Sequence, residues 1–120
     1  MTSEDIRFTL FAEVFAALAH PKRLEIVHIL GHGEHTAGEL VEKTGLSKAN
    51  VSQHVGILKA RGLIHCEKRG TFCHYRLTDP GVLDTCEQIR CLILDRMELS
   101  SRHRAELARA KAPVRGKSHA

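Results

Sequence analysis

The run TAGELVEKTGLSKANVSQHVGILKARGLI, residues 36–64, admits few folds. Thr36 and Glu39 are spaced as a T-x-x-E capping box, which starts a short helix with Leu40 and Val41 facing inward. Gly45 ends that helix, Leu46 closes the turn, and Ser47 caps the next one. In the second helix Val51, Val55 and Leu58 recur at i, i+4 and i+7 and share one buried side. Opposite them stand Ala49, Ser52, Gln53 and Gly56. A face of small and amide side chains is too polar for a core and too uncharged for an ordinary solvated surface. It needs an occupant.

The flanking segments supply the rest of a single domain. Residues 4–19, EDIRFTLFAEVFAALA, place Phe8, Phe11, Ala12, Phe15, Leu18 and Ala19 on one helical stripe. Pro21 suits the first turn of a second helix, KRLEIVHIL, for which Gly31 is the expected C-cap. GHGEH reads as a loop. Downstream, LIHCEKRGTFCHYRL alternates around Arg69 and Gly70 and predicts two short strands with a tight loop. Pro80 then opens a long helix in which Val82, Cys86, Ile89, Ile93 and Met97 form a stripe. Residues 111–120 are basic without periodicity and read as a disordered tail. With one Tyr, four Phe and no Trp, the core must be aliphatic. The expected class is mainly α with a small β-hairpin, in 120 residues that suffice for one core.

Net charge is +4, and its placement is uneven. Residues 47–78 carry six Lys/Arg (Lys48, Lys59, Arg61, Lys68, Arg69, Arg76) against one acid, Glu67, and residues 100–120 carry six against Glu106. The remainder is acidic. Positive charge concentrated beside the uncharged helix face points to a polyanion. No apolar run reaches membrane-spanning length, and MTSEDIRF lacks a signal peptide's basic start and apolar centre, so a cytoplasmic location is expected, with four reduced cysteines.

Two helices joined by KTGLS, the second followed by a basic hairpin, describe a helix-turn-helix with a wing. Ala49 and Gly56 let the helix approach a groove floor, and Ser52 and Gln53 can hydrogen-bond base edges. Asn50 and His54 flank that face. Lys48, Lys59 and Arg61 are placed toward the phosphates, which orient a protein without reading sequence, and the capping Ser47 is a further DNA-binding candidate. Lys68 and Arg69 at the wing tip reach a neighbouring groove or backbone.

FAALAHPKRLEIVHIL, the 36–64 run and KRGTFCHYRLTDPGV together resemble the ArsR/SmtB family of winged-helix transcriptional repressors, over about residues 8–95. The resemblance implies a homodimer closed by its first and last helices, bound to an inverted repeat in double-stranded operator DNA and released by an inducer. It divides the chain into an ArsR-type DNA-binding and dimerisation domain, 4–99, and residues 100–120, the basic end of the last helix and the tail. Independently, the stripe on the last helix needs a partner, because the first helix is too short to cover it.

The family's sensing sites map unevenly onto this chain. HTAGEL has no cysteine where the arsenic-type thiolates would stand, and the N-terminal cysteines of the cadmium/lead type are absent. Of the zinc-type site in the last helix, Asp79 and Asp95 match, but Gly81 and Leu92 occupy the histidine positions. The persulfide-type pair would need a cysteine where His28 stands. Cys86 and Cys91 remain, five apart and therefore about 140° apart around a regular helix. Some relatives sense arsenicals through cysteines in this helix, so a trivalent arsenical or soft metal ion is the leading inducer, since thiolates suit soft ions. With a two-residue loop at Arg69 and Gly70, Cys66 would face Cys73 across the ladder, with Ile64 and Tyr75 the next pair, and oxidation could stiffen the wing. His28 and His32, at i and i+4 with His35 beyond, have a spacing that can hold a first-row metal. His103 and Glu106 share a face but miss the zinc spacing.

No nucleophile elbow, phosphate loop or acid pair appears, so an enzyme is not expected. The other readings are a thiol-redox or reactive-sulfur regulator and, from a different class, a protein-binding winged-helix adaptor.

Overall fold

A computed structural model describes residues 2–109. The chain runs α1 (Ser3–Leu18), α2 (Pro21–Gly31), β1 (His35–Thr36), α3 (Ala37–Thr44), α4 (Lys48–Ala60), β2 (Ile64–Arg69), β3 (Phe72–Leu77), α5 (Gly81–Arg96) and α6 (Ser101–Arg109). Each helix begins where local chemistry dictates. Thr2 and Asp5 form a capping box on α1 that the sequence reading did not anticipate. His20 caps α2 by accepting the Lys22 N–H at its Nδ1, 3.0 Å away, with Pro21 in the first turn. At α3 the expected box is present: Thr36 Oγ1 accepts the Glu39 N–H at 3.2 Å, and Glu39 accepts the Thr36 N–H at 2.7 Å. Gly45 leaves α3 at φ +74°, a left-handed value that favours glycine, and Ser47 Oγ accepts the Asn50 N–H at 3.1 Å to start α4.

The core lies between the helices and one face of the sheet. Ile26, Val27 and Leu30 of α2 meet Leu40, Val51, Val55, Leu58, Ile64, Leu77 and Leu83, all buried. The valine–leucine stripe of α4 is therefore an inward face, as its spacing predicts. Full burial of each such side chain stabilises the fold by about 1.5–3 kcal/mol.

Four sequence expectations are corrected. Gly31 is not a C-cap: it is the last residue of α2, His32 follows in the right-handed region, and the chain turns at Gly33, φ +139°. A Cβ at Gly31 would lie 2.2 Å from Leu83 Cδ2, so the glycine is there for the close approach of α5. The loop GHGEH ends in a strand, since His35 pairs with Tyr75 and makes the sheet three-stranded in the order β1-β3-β2. The hairpin loop is Gly70 and Thr71, so Cys66 pairs with Tyr75, Lys68 with Cys73 and Ile64 with Leu77. Cys66 and Cys73 are consequently diagonal neighbours on one face instead of direct partners.

The last helix is not continuous. Met97 is extended, at ψ 146°, and α6 begins at Ser101. Arg104 folds it back by donating to the carbonyls of Leu94 and of Met97, the latter at 3.0 Å. Arg90 reaches the Leu107 carbonyl at 3.3 Å. Residues 101–109 are thus a separate helix and not the basic end of the preceding one. The tail expected at 111–120 lies outside the described residues.

Candidate nucleic-acid interface

Because Val51, Val55 and Leu58 are fixed in the core, helical geometry turns Ala49, Ser52, Gln53 and Gly56 outward, and all four are exposed. A Cβ built on Gly56 meets nothing within 4 Å, so this side of α4 is open. Lys48 and Asn50 are exposed at its N-terminal end, with Ser47 committed to the cap, and Lys59 is exposed at the other end. Helix start, core stripe and open face come from one 13-residue element.

Not every basic candidate is free for a polyanion. The side chains of Lys48, Lys59, Lys68 and Arg76 make no ion pair or hydrogen bond among the described residues. Arg61 binds Glu13 Oε1 of α1 at 3.1 Å, tying the end of α4 to the first helix. Arg69 is held by Glu34 and lies 3.9 Å from Glu67, while His74 Nδ1 is 3.6 Å from the same Glu34. Glu34 therefore anchors the wing to the loop before β1. Arg76 is exposed opposite His65 and was counted in the charge but not singled out. Its place on the wing's outer face depends on register, which composition alone does not give.

His54 belongs elsewhere. It is half-buried against His20, with ring centroids 4.5 Å apart, and Arg23 Nη1 donates to its Nδ1 at 3.3 Å. Burial, then His20 and Arg23, lower its pKa from the usual imidazole value. It braces α4 against the start of α2 and does not join the Ser52–Gln53 face. Arg23 also donates to the Ala17 carbonyl at 2.6 Å, so this cluster joins three helices.

The thiols occupy two regions. Cys66 and Cys73 are half-buried on the inner face of the wing, and Cys73 and Tyr75 line a cleft of about 530 Å³ between wing and α4 that Lys48 and Ser52 also border. Burial pushes the Cys66 thiol up, followed by a hydrogen bond with Cys73 and that neighbour's charge, while Lys59 and Lys68 oppose. Tyr75 is raised by burial and then by Cys73 and Cys66. In α5, Cys86 is half-buried and Cys91 exposed, in keeping with their angular separation. Cys86 lines a largely apolar cavity of about 500 Å³ with Phe15, Leu24, His28, Ile89 and Leu107. Burial, then the charge of Glu87, raises the Cys86 thiol pKa.

Metal binding by the α2 histidines gains nothing from the geometry. His28 and His32 stack edge-on at 4.9 Å, but His35 is buried elsewhere, bonded to Gly33 O at 2.8 Å and Lys43 Nζ at 3.0 Å. Among the described residues no group of three or more His, Cys, Asp or Glu side chains is arranged to hold a metal ion. Asp79, the zinc-type match, accepts the Gly81 N–H at 2.7 Å in the turn that leads into α5. No helix among the described residues is long and apolar enough to cross a membrane.

Comparison with known proteins agrees with this architecture. A helix-turn-helix domain family matches residues 18–67. The probable mercury resistance operon repressor of Streptomyces lividans is 37% identical over 84 residues, covering 70% of this chain and 67% of that protein. The crystal structure of Mycobacterium tuberculosis Rv0081 superposes with a TM-score of 0.68 at 30% identity, over 76% of this chain and 96% of that one. The homodimeric winged helix-turn-helix domain of Mb0332 from Mycobacterium bovis, a possible ArsR-family regulator, gives a TM-score of 0.74 at 24% identity, over 82% and 91% of the two chains, and so matches in fold. With its capped helix pair, exposed uncharged helix face and basic wing, the chain belongs to the ArsR/SmtB family of winged-helix, DNA-binding transcriptional repressors, which are regulators and not enzymes.

Proposed function

We propose that the chain acts as a homodimer that occupies double-stranded operator DNA and leaves it when a soft metal ion or trivalent arsenical is taken up by its cysteines. The observation that carries the DNA reading is the open Ala49–Ser52–Gln53–Gly56 face of α4, flanked by the unpaired Lys48, Lys59 and Lys68. Ser52 and Gln53 read base edges, Asn50 flanks them, and the lysines engage phosphates. Arg61 and Arg69 contribute only if DNA competes with Glu13 and Glu34 for them. A DNA target supports a cytoplasmic location.

Dimerisation is supported by apolar surface that one chain leaves open. Phe8, Phe11 and Phe15 of α1 are 58%, 53% and 60% exposed, and Ile89 and Leu92 of α5 are 51% and 53% exposed. Two such surfaces related by a twofold axis would cover each other. For the inducer, Cys91 is exposed on α5 and Cys86 sits one face away, so a site using both draws further ligands from the partner subunit. A thiol-redox or reactive-sulfur response is the second reading, supported by four free thiols. The diagonal register of Cys66 and Cys73 takes from it the direct opposition that an internal disulfide would use.

The test is a titration of the purified chain onto its own upstream DNA, followed by fluorescence anisotropy. Arsenite, soft metals, persulfide and peroxide are then added in parallel. Binding as a dimer and release by a soft ion or arsenite are expected. A solution mass of one chain, or no preference over unrelated DNA, overturns the reading. Release that survives in C86S/C91S removes those two thiols from the mechanism.

A further inference from the structure

The wing holds a pair of thiols in an arrangement that neither the core nor DNA recognition explains. Cys66 on β2 and Cys73 on β3 point to the same side of the hairpin, offset by one diagonal. Diagonal side chains stand farther apart than direct partners. A disulfide would have to draw the sulfurs to about 2 Å, with Cβ atoms about 3.5–4.5 Å apart, which diagonal positions reach only by moving backbone. A cation between two sulfurs asks for less: two metal–sulfur bonds pointing in opposite directions span a gap that one sulfur–sulfur bond cannot. Cys73 also borders the cleft between wing and α4, which gives an ion a route from solvent.

We propose that Cys66 and Cys73 form a two-coordinate site for a soft cation, of the Cu(I), Ag(I) or Hg(II) class, within the wing. Thiolates select such ions over hard ones. Each thiol gives up its proton to solvent as its metal–sulfur bond forms, and no electron is transferred. The site lies where occupancy has consequences for DNA. Lys68 is paired with Cys73 across the ladder, Lys59 lies close enough to act on Cys66, and Lys48 and Ser52 line the same cleft. An ion bridging the two sulfurs cross-links β2 to β3 and fixes the hairpin's shape beside these lysines, and a monovalent ion in addition leaves one net negative charge that draws them inward from phosphate. This deepens the inducer reading by naming the wing thiols as its locus, and its DNA arm rests on that reading.

The experiment uses the full chain, reduced, in four forms: wild type, C86S/C91S, C66S/C73S, and C86S/C91S with C73S added. Hg(II) is titrated in excess competing monothiol, so that a lone cysteine loses the ion while a two-sulfur site keeps it. Near-ultraviolet thiolate–metal absorption and native mass spectrometry read occupancy, and circular dichroism checks the fold. C86S/C91S should retain one ion per chain, the added C73S should lose it, and loading C86S/C91S should weaken binding to its upstream DNA by about tenfold or more, a difference of about 1.4 kcal/mol. Retention unchanged in C66S/C73S, loss from C86S/C91S, or DNA affinity indifferent to loading would overturn the proposal. Failure of the ion-free wild type to bind that DNA instead strikes the DNA reading, and the retention data still decide the site.

Discussion

Gly31 of α2 lies directly beneath Leu83 of α5, so closely that a Cβ on the glycine would sit 2.2 Å from Leu83 Cδ2 and 3.1 Å from its Cγ. Leu83 is only 5% exposed and belongs to the core, so it cannot swing into solvent to relieve the clash. Gly31→Ala should therefore destabilise the fold by about 1–3 kcal/mol, the usual range for overpacking. The helix propensity of alanine, worth up to about 1 kcal/mol over glycine, opposes this only in part. Urea denaturation decides it: an unchanged or raised midpoint would show that α5 moves aside freely.

Ser52, Gln53 and His54 are consecutive in sequence but separable in role. Gln53→Ala should lower affinity for the preferred operator by about 1–3 kcal/mol while relaxing discrimination at one base position. Its thermal midpoint should barely move, because exposed positions away from special features change stability by about 0.5 kcal/mol or less. His54→Ala should do the reverse, since it strips Arg23 of an acceptor and His20 of its ring contact. Anisotropy on a panel of single-base operator variants, beside melting curves of both proteins, checks the pair. Equal losses of specificity from the two would place His54 at the DNA after all.

Legibility in the sequence followed the reach of the interactions. The α3–α4 unit could be read nearly residue by residue because its signals are local: the Thr36–Glu39 box, Gly45 and Ser47 act within four positions of themselves. The hairpin was legible as a hairpin but not in register. KRGT accommodates a loop at Arg69–Gly70 or at Gly70–Thr71, and the choice depends on Ile64 pairing with Leu77 as both enter the core. His35 reads as loop because its strand partner, Tyr75, lies far along the chain. At the C-terminal end the apolar stripe runs on to Met97, which suggested one helix. Arg104 of α6 donates to the Leu94 and Met97 carbonyls at the end of α5, and Arg90 of α5 donates to the Leu107 carbonyl of α6, a fold-back that no periodicity announces. For the candidate site, α4's open face followed from its spacing. The contacts of His54 with Arg23 and His20 were not legible, because a helical wheel does not show what α2 brings beside α4.

Salt dependence should separate the lysines from the paired arginines. Each phosphate contact contributes about 0.9 to the slope of log affinity against log salt. Lys48→Ala, Lys59→Ala and Lys68→Ala should each reduce that slope by about 1 and weaken binding alike on all sequences. Arg61→Ala should change it less, because Glu13 already holds that guanidinium, and should loosen the contact between α1 and α4. Titrations between low and moderate salt measure the slopes directly. A full unit lost with Arg61→Ala would mean that DNA displaces Glu13.

The last prediction concerns pH. His28 and His54 both have pKa values lowered in the folded protein, each by burial first. For His54 the further contributors are His20 and Arg23. For His28, His32 and Arg90 lower the value, whereas Glu87 and Glu25 raise it. A histidine with a lowered folded pKa binds fewer protons folded than unfolded, so stability rises with pH where the unfolded chain takes up the proton. The stability is therefore complete above the ordinary imidazole value of about 6.5, begins to fall as pH drops through it, and continues to fall until the folded groups protonate. Most carboxylates remain ionised through that window, so the histidines dominate the slope. Urea midpoints should decline from about pH 7.5 to about pH 5.5 in the wild type and decline less in His28→Gln/His54→Gln. Glutamine at 54 keeps an acceptor for Arg23 but cannot gain charge. Parallel pH profiles for the two proteins would show that neither imidazole is held neutral by its surroundings.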